Sequence, residues 1–266
     1  MTTIRFIRDA VLMPVIVGIS VLVWGMTGAR AQGAVTVKVG AYEYGVVYYY
    51  EDGKPGGIVP VLIQRLNDLQ DDYKFDLVET SSRRRYQDVT DGTVDLILLE
   101  SERWDWGDFD VTFSDPIVTE SDLYVALDTH PDVPRLFANV TDSQMLCVLG
   151  FHYGFAQYNA DPQYLRDNFD VLLRYNEKEV LEGVLAREAP IGIVSVGFLA
   201  SEYAKHPGLQ SRLAIADAPD ATYDLVSVLG KDAPIALDQY NDLIGQLHET
   251  GEIARLWQQL HDGVLN

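Results

Sequence analysis

From Val35 onward the sequence alternates twice between short apolar runs and segments of helical period, an order that few architectures other than an α/β sheet accommodate. Val35-Thr-Val-Lys-Val-Gly40 reads as a strand with every second side chain apolar, and so with one buried face. Gly57 to Leu69 reads as a helix, because Ile58, Leu62, Leu66 and Leu69 recur at helical spacing. Phe75–Glu79 predicts a second strand, and Arg84–Asp91 a short helix stopped by Gly92. Val94–Leu99 is almost continuously apolar, as in a strand covered on both faces. The pattern then returns: strand at Leu146–Leu149, helices at Pro162–Asn168 and Glu177–Arg187, strand at Ile191–Val196. Two further extended segments, Leu123–Leu127 and Leu225–Leu229, join the units, and Leu237–Leu260 carries two amphipathic helices separated at Gly251. Two α/β units with two extended connections predict two lobes and a cleft.

The region before Val35 has a different character. Arg5 and Arg8 precede a 15-residue apolar run, Ala10–Trp24, which as a helix spans ~22 Å against the ~30 Å of a bilayer core. Ala29-Arg30-Ala31 supplies the small-x-small pattern of a signal-peptidase site, so residues 1–31 read as an export signal; an uncleaved anchor is the competing reading. Removing those 31 residues from the 266 leaves a mature chain of 235. No later apolar run reaches the length of a membrane span. With 20 Lys+Arg against 40 Asp+Glu, the net charge of −20 excludes a general nucleic-acid binder, which needs a basic face. One cysteine excludes an intrachain disulfide framework and a multi-thiolate zinc site.

Four segments, in order, resemble the type II periplasmic solute-binding proteins, specifically the family-3 group typified by amino-acid-binding proteins. Tyr48-Tyr-Tyr-Glu-Asp-Gly-Lys-Pro-Gly-Gly-Ile-Val-Pro60 resembles the family's hairpin into the first helix, and Asp91-Gly-Thr-Val-Asp-Leu-Ile97 its Gly-x-x-Asp strand entry. Phe113-Ser-Asp-Pro-Ile117 resembles the element before the first crossover, and His248–Trp257 the closing helices. The resemblance implies a two-lobed α/β fold, each lobe a mixed sheet flanked by helices. Lobe 1 would be 33–125 plus 222–266, and lobe 2 would be 126–221. Hinges near Ser121–Asp128 and Asp217–Tyr223 would close the lobes on a small solute. An ABC permease is the implied partner, the periplasm the implied compartment and a monomer the implied state.

The family's amino-acid clamp is not reproduced. Its Thr-x-x-Arg, whose arginine pairs with the ligand α-carboxylate, aligns without gaps to Trp104 and Gly107. The acid expected near the end of a second-lobe strand is absent from Val194-Ser-Val-Gly197. The candidate ligand-binding residues are Glu43, Tyr48, Ser82, Arg84, Arg85, Glu100, Trp104, Phe151, His152 and Tyr153. Tyr48 matches a pocket-facing aromatic, with Tyr42, Tyr44, Tyr49 and Tyr50 around it, and packing on neighbouring strands is its alternative. Arg83-Arg84-Arg85 either turns one arginine inward in place of the lost clamp or forms a solvated basic turn; residues ~100° apart on a helix cannot all do the former. Glu100, with Trp104 or Trp106, either grips a cationic head group or lies in a solvated loop. Gly150-Phe-His-Tyr-Gly154 offers backbone N–H groups to an anion, with His152 and Tyr153 as side-chain donors, or is a structural turn.

Other classes remain in view. Exported cyclohexadienyl dehydratases share the family's scaffold, and Glu43 or Glu100 would serve as their general acid only if desolvated. An extracytoplasmic sensor module would use the same cleft. A Cys147–His152 catalytic pair is rejected, because Cys147 lies in an apolar strand. No cofactor is expected, and His130, His206, His248 and His261 lack metal-ligand spacing.

Overall fold

The computed structural model describes residues 1–2, 33–51, 53–262 and 264. The expected export signal therefore falls, apart from Met1 and Thr2, outside the described residues. The main body runs from Ala34 to Asn266.

Its first half grows from strand β1 (Val35–Ala41), followed by a tyrosine-rich turn and a two-stranded hairpin of β2 (Tyr49–Glu51) and β3 (Lys54–Gly56). Gly57 starts helix α1 (Ile58–Leu69) with φ at 96°, and a Cβ there would lie 2.6 Å from the Val46 and Val47 carbonyl oxygens. Only glycine fits so close a backbone crossing. Strand β4 (Tyr73–Glu79), helix α2 (Arg85–Thr90) and strand β5 (Leu96–Glu100) complete the unit, with β1 parallel to both strands. After the short β6 (Val111–Phe113) the chain leaves along β7 (Val118–Leu127).

The second half contains α3 (Val133–Ala138), β8 (Met145–Val148), α4 (Pro162–Asn168), β9 (Val171–Arg174), α5 (Glu177–Leu185), β10 (Ile191–Ser195) and α6 (Val196–Lys205). Asp132, Asp161, Asn176 and Ser195 cap α3 to α6 by accepting an N–H of the first turn, which satisfies donors the helix itself leaves unpaired. After β11 (Leu213–Ile215), strand β12 (Ala221–Gly230) returns to the first half, which closes with α7 (Leu237–Glu249) and α8 (Glu252–Leu260).

The main sheet runs β4-β1-β5-β12-β7-β10-β8-β9, with β11 beside β7 and β6 beside β12. The two connections expected at 123–127 and 225–229 are thus longer than their apolar runs: each is a ten-residue strand. Their polar ends alternate, with Thr119, Ser121, Thr222 and Asp224 outward, and Ser121–Thr222 and Thr119–Asp224 hydrogen-bond across the pair at 2.9 and 3.2 Å. Half-polar alternation hides a strand that faces solvent on one side. Helices α1 and α7 cover the first half, around a core that includes Leu62, Leu66, Leu96 and Ile244. In the second half the sheet is covered on both faces, by a cluster around Leu146, Val180 and Leu199 and another around Met145, Tyr153 and Leu165.

Candidate functional site

The two halves meet at a contact that only small residues permit. Gly45 adopts φ 45°, and a Cβ on it would lie 2.4 Å from Ser195 Oγ. A Cβ on Gly197 would lie 2.4 Å from a Val46 methyl and 3.0 Å from Glu120 Oε2. The turn of one half is thereby seated directly on the start of α6 in the other. Glu177, buried at the start of α5, ties them: one oxygen accepts the Gly45 N–H and the other the Ser195 N–H, both at 2.6 Å. Burial, reinforced by the charge of Glu120, pushes the Glu177 carboxyl up to about 7 despite those two bonds.

Glu120 and Asp122 stand inward on β7, where the chain crosses between halves. Glu120 Oε2 lies 2.9 Å from His261 Nε2, and His261 Nδ1 lies 2.8 Å from the Trp257 carbonyl. Both ring nitrogens face acceptors, an arrangement suited to imidazolium. Burial opposes that charge, but Glu120 and the carbonyl outweigh it and raise the His261 pKa. Asp122 is held well above the usual carboxylate range, by burial first and then by Glu177, Asp220 and Glu120.

Beside this crossing lies a small central cavity lined by both halves: Tyr42, Tyr44, Arg85 and Trp104 from one side, Gly150, Phe151 and His152 from the other, with Asp122 between. Its volume for a water-sized sphere is about 10 Å³, room for roughly one water. Aromatic rings fill the remaining space. Tyr44 meets Trp104 and Phe151 edge-on at 5.5 and 5.4 Å, and Trp104 lies near-parallel to His152 at 6.2 Å. Arg85 is 1% exposed, with Nε 3.0 Å from Glu100 Oε2, Nη2 2.7 Å from the Tyr86 hydroxyl and Nη1 on the Ser82 carbonyl. Its guanidinium also sits 4.4 Å from the Tyr86 ring and 5.0 Å from the Tyr42 ring. Glu100 accepts in addition from Trp106 Nε1 at 2.9 Å. The positive charge is thus neutralised and three donors are committed before any solute arrives. His152 is pushed down to about 3 by burial and by Arg85, so it is a neutral imidazole; its 3.1 Å contact from Nε2 to Asp105 is a hydrogen bond rather than an ion pair. Among the described residues, the buried Tyr44 hydroxyl has no hydrogen-bond partner, and the Trp104 indole stands against Tyr223, ring centres 5.1 Å apart.

A second space, of about 190 Å³, lies on the far side of the Gly45–Glu177 contact and shares the Tyr44 wall. Glu43, Tyr48 and Tyr49 line it from the hairpin side, Glu177, Phe198 and Glu202 from the other.

No protein-family model and no curated protein sequence matches the chain. Solved structures do. The solute receptor for L-cysteine of Neisseria gonorrhoeae superposes with a TM-score of 0.64 at 17% identity, over 86% of this chain and 91% of that one. The ancestral amino-acid-binding protein AncCDT-1, a precursor of cyclohexadienyl dehydratase, gives 0.64 at 18%, over 85% and 96%. A histidine kinase sensor domain with similarity to periplasmic binding proteins gives 0.69 at 15%, over 89% and 100%. The fold is that of the type II periplasmic binding proteins.

Within that fold the expected site residues divide. Arg85, Trp104, Phe151 and His152 come together at the central cavity, with Glu100 behind Arg85. Ser82 stands at its rim and donates to the Leu149 carbonyl of the other half at 3.2 Å. Glu43 and Tyr48 line the second space instead, and the Tyr48 hydroxyl donates to Glu79 at 2.7 Å. Arg84 is exposed, 3.6 Å from Asp88, because it lies one step of the helix away from Arg85. Tyr153 is 1% exposed and points into the second half's core, accepting the Val148 N–H at 2.6 Å. Asp122 and Glu177 were not singled out by sequence. The Glu-x-Asp alternation leading into the apolar run of β7 was the available signal for Asp122. Glu177 gave none, since a glutamate in a helix's first turn is ordinary.

Proposed function

We propose that this chain is an extracytoplasmic solute receptor whose halves act as lobes, closing on a small polar solute at the central cavity. The observation that carries the reading is the Tyr44 hydroxyl, buried, unpartnered among the described residues, and placed where both halves converge. Such a donor costs about 1–3 kcal/mol unless something accepts from it. A solute acceptor would supply that partner, with Trp104, Asp122 and His152 within the same walls. Strands β7 and β12 are the connections about which closure would occur. The export-type leader supports a periplasmic location, and the family resemblance supplies the partner, an ABC permease fed by a monomeric receptor.

The walls also restrict the solute. Arg85 is already paired with Glu100, so among the described residues the cavity lining has no free cation to hold an α-carboxylate. A neutral, hydrogen-bonding solute fits better than a zwitterionic amino acid. Neither carboxylate considered as a general acid suits that role: Glu100 is ion-paired and Glu43 is exposed. A thermal-shift panel of amino acids, carboxylates, polyols and amines tests the reading. A solute at 100 times its Kd should add ~2.7 kcal/mol of stability, and Tyr44→Phe should shrink the shift. A protein indifferent to every solute, with an unchanging scattering profile, would overturn it.

A further inference from the structure

The second space between the halves carries a separate recognition chemistry. Among the described residues, Glu43, Glu51, Glu177 and Glu202 line it against two cations, Lys178 and Lys205. One of those cations shows what the walls accept. The Lys205 ammonium sits 5.7 Å from the centre of the Tyr49 ring, 3.2 Å from Glu51 and 3.6 Å from Glu202. An aromatic face with flanking carboxylates is a good receptor for an alkylammonium, since ring quadrupole and anions act together. At the inner end, Glu177 and Tyr44 form the wall. The space therefore offers two polar stations, one outer and one inner, with tyrosine rings between them and a volume of about 190 Å³.

We propose that this groove binds an alkyl diamine or polyamine. One ammonium takes the station on Tyr49, Glu51 and Glu202 in place of Lys205, whose side chain is 42% exposed and free to swing outward. The other approaches Glu177. Lys205 is then a built-in competitor that holds the outer station until an amine displaces it. The site is distinct from the central cavity, and its existence does not depend on the solute held there.

Calorimetric titration of the protein with putrescine, beside its neutral isostere 1,4-butanediol, tests this. Putrescine should bind and the diol should not. Lys205→Met should tighten putrescine binding roughly tenfold by removing the competitor, and Glu202→Gln should weaken it by a similar factor. Absence of putrescine binding to both the wild type and Lys205→Met would overturn the proposal. So would binding that neither substitution alters, which would place the amine elsewhere while leaving the central-cavity reading intact.

Discussion

The two spaces between the halves share the Tyr44 wall yet are built oppositely. The central cavity is small and nearly full, its buried cation Arg85 matched to the buried anion Glu100 inside the same half. The outer groove is roomy and acidic, and its cation, Lys205, is half-exposed. The difference teaches that charge alone does not mark a site. Arg85 is deeply buried in an acidic protein, but its partners lock it into the framework. Lys205 forms looser contacts that a ligand can replace, because water compensates both partners when they part.

Breaking the buried pair should have the largest effect. Arg85→Met leaves Glu100 charged and desolvated, so a loss of about 3–5 kcal/mol is expected in urea unfolding. Arg85→Met combined with Glu100→Leu should recover much of it, because two apolar side chains leave no orphan charge. Lys205→Met in the groove should change stability by no more than about 1 kcal/mol. Equal losses from the Arg85 and Lys205 substitutions would erase the contrast.

Titration sharpens it next. Glu177 binds its proton more tightly folded, at about 7 against an ordinary value of 4.5. The folded state therefore holds the extra proton between those values, and stability falls as pH rises through them, by of order 3 kcal/mol. His152 behaves in the reverse sense: its folded value of about 3 lies below the ordinary 6.5, so stability falls as pH drops through that window. The two slopes oppose each other between 4.5 and 6.5. The two contributions offset each other there, and Glu177→Gln should make the decline on the alkaline side shallower, Asp122 and His261 supplying the rest of it. An unchanged alkaline limb in that variant would show that Glu177 is not the responsible group.

The contact between the spaces comes third. Gly45→Ala forces a Cβ against Ser195 at a positive φ, which should cost about 1–2 kcal/mol and raise the radius of gyration as the halves part. Unaltered scattering would mean the halves do not hinge there. The smallest effect belongs to the shared wall. Tyr44→Phe removes an unpartnered buried hydroxyl, so the solute-free protein should unfold at an equal or higher denaturant concentration, gaining up to about 1 kcal/mol. The same change should weaken ligand binding.

Much of the fold was legible because local chemistry repeats. Helix α1 follows from the spacing of Ile58, Leu62, Leu66 and Leu69, and the break between α7 and α8 from Gly251, which adopts φ 68°. The candidate site was legible only in part. The adjacent arginines 84 and 85 have identical chemistry, and their fates differ because ~100° of helix rotation turns one toward solvent and the other toward Glu100. Tyr153 and His152, also adjacent, part in the same way, one into the core and one into the cavity.

By itself, then, the sequence determined the alternation of strands and helices, the turns that glycine makes possible, and the acidic character of the surface, all of which depend on residues near one another in the chain. Tertiary structure alone decided which charges are paired and which polar atoms are left waiting. Gly45 meets Glu177 across 132 positions, and Glu120 meets His261 across 141. Such meetings depend on how two halves fit together, and no local periodicity encodes that fit.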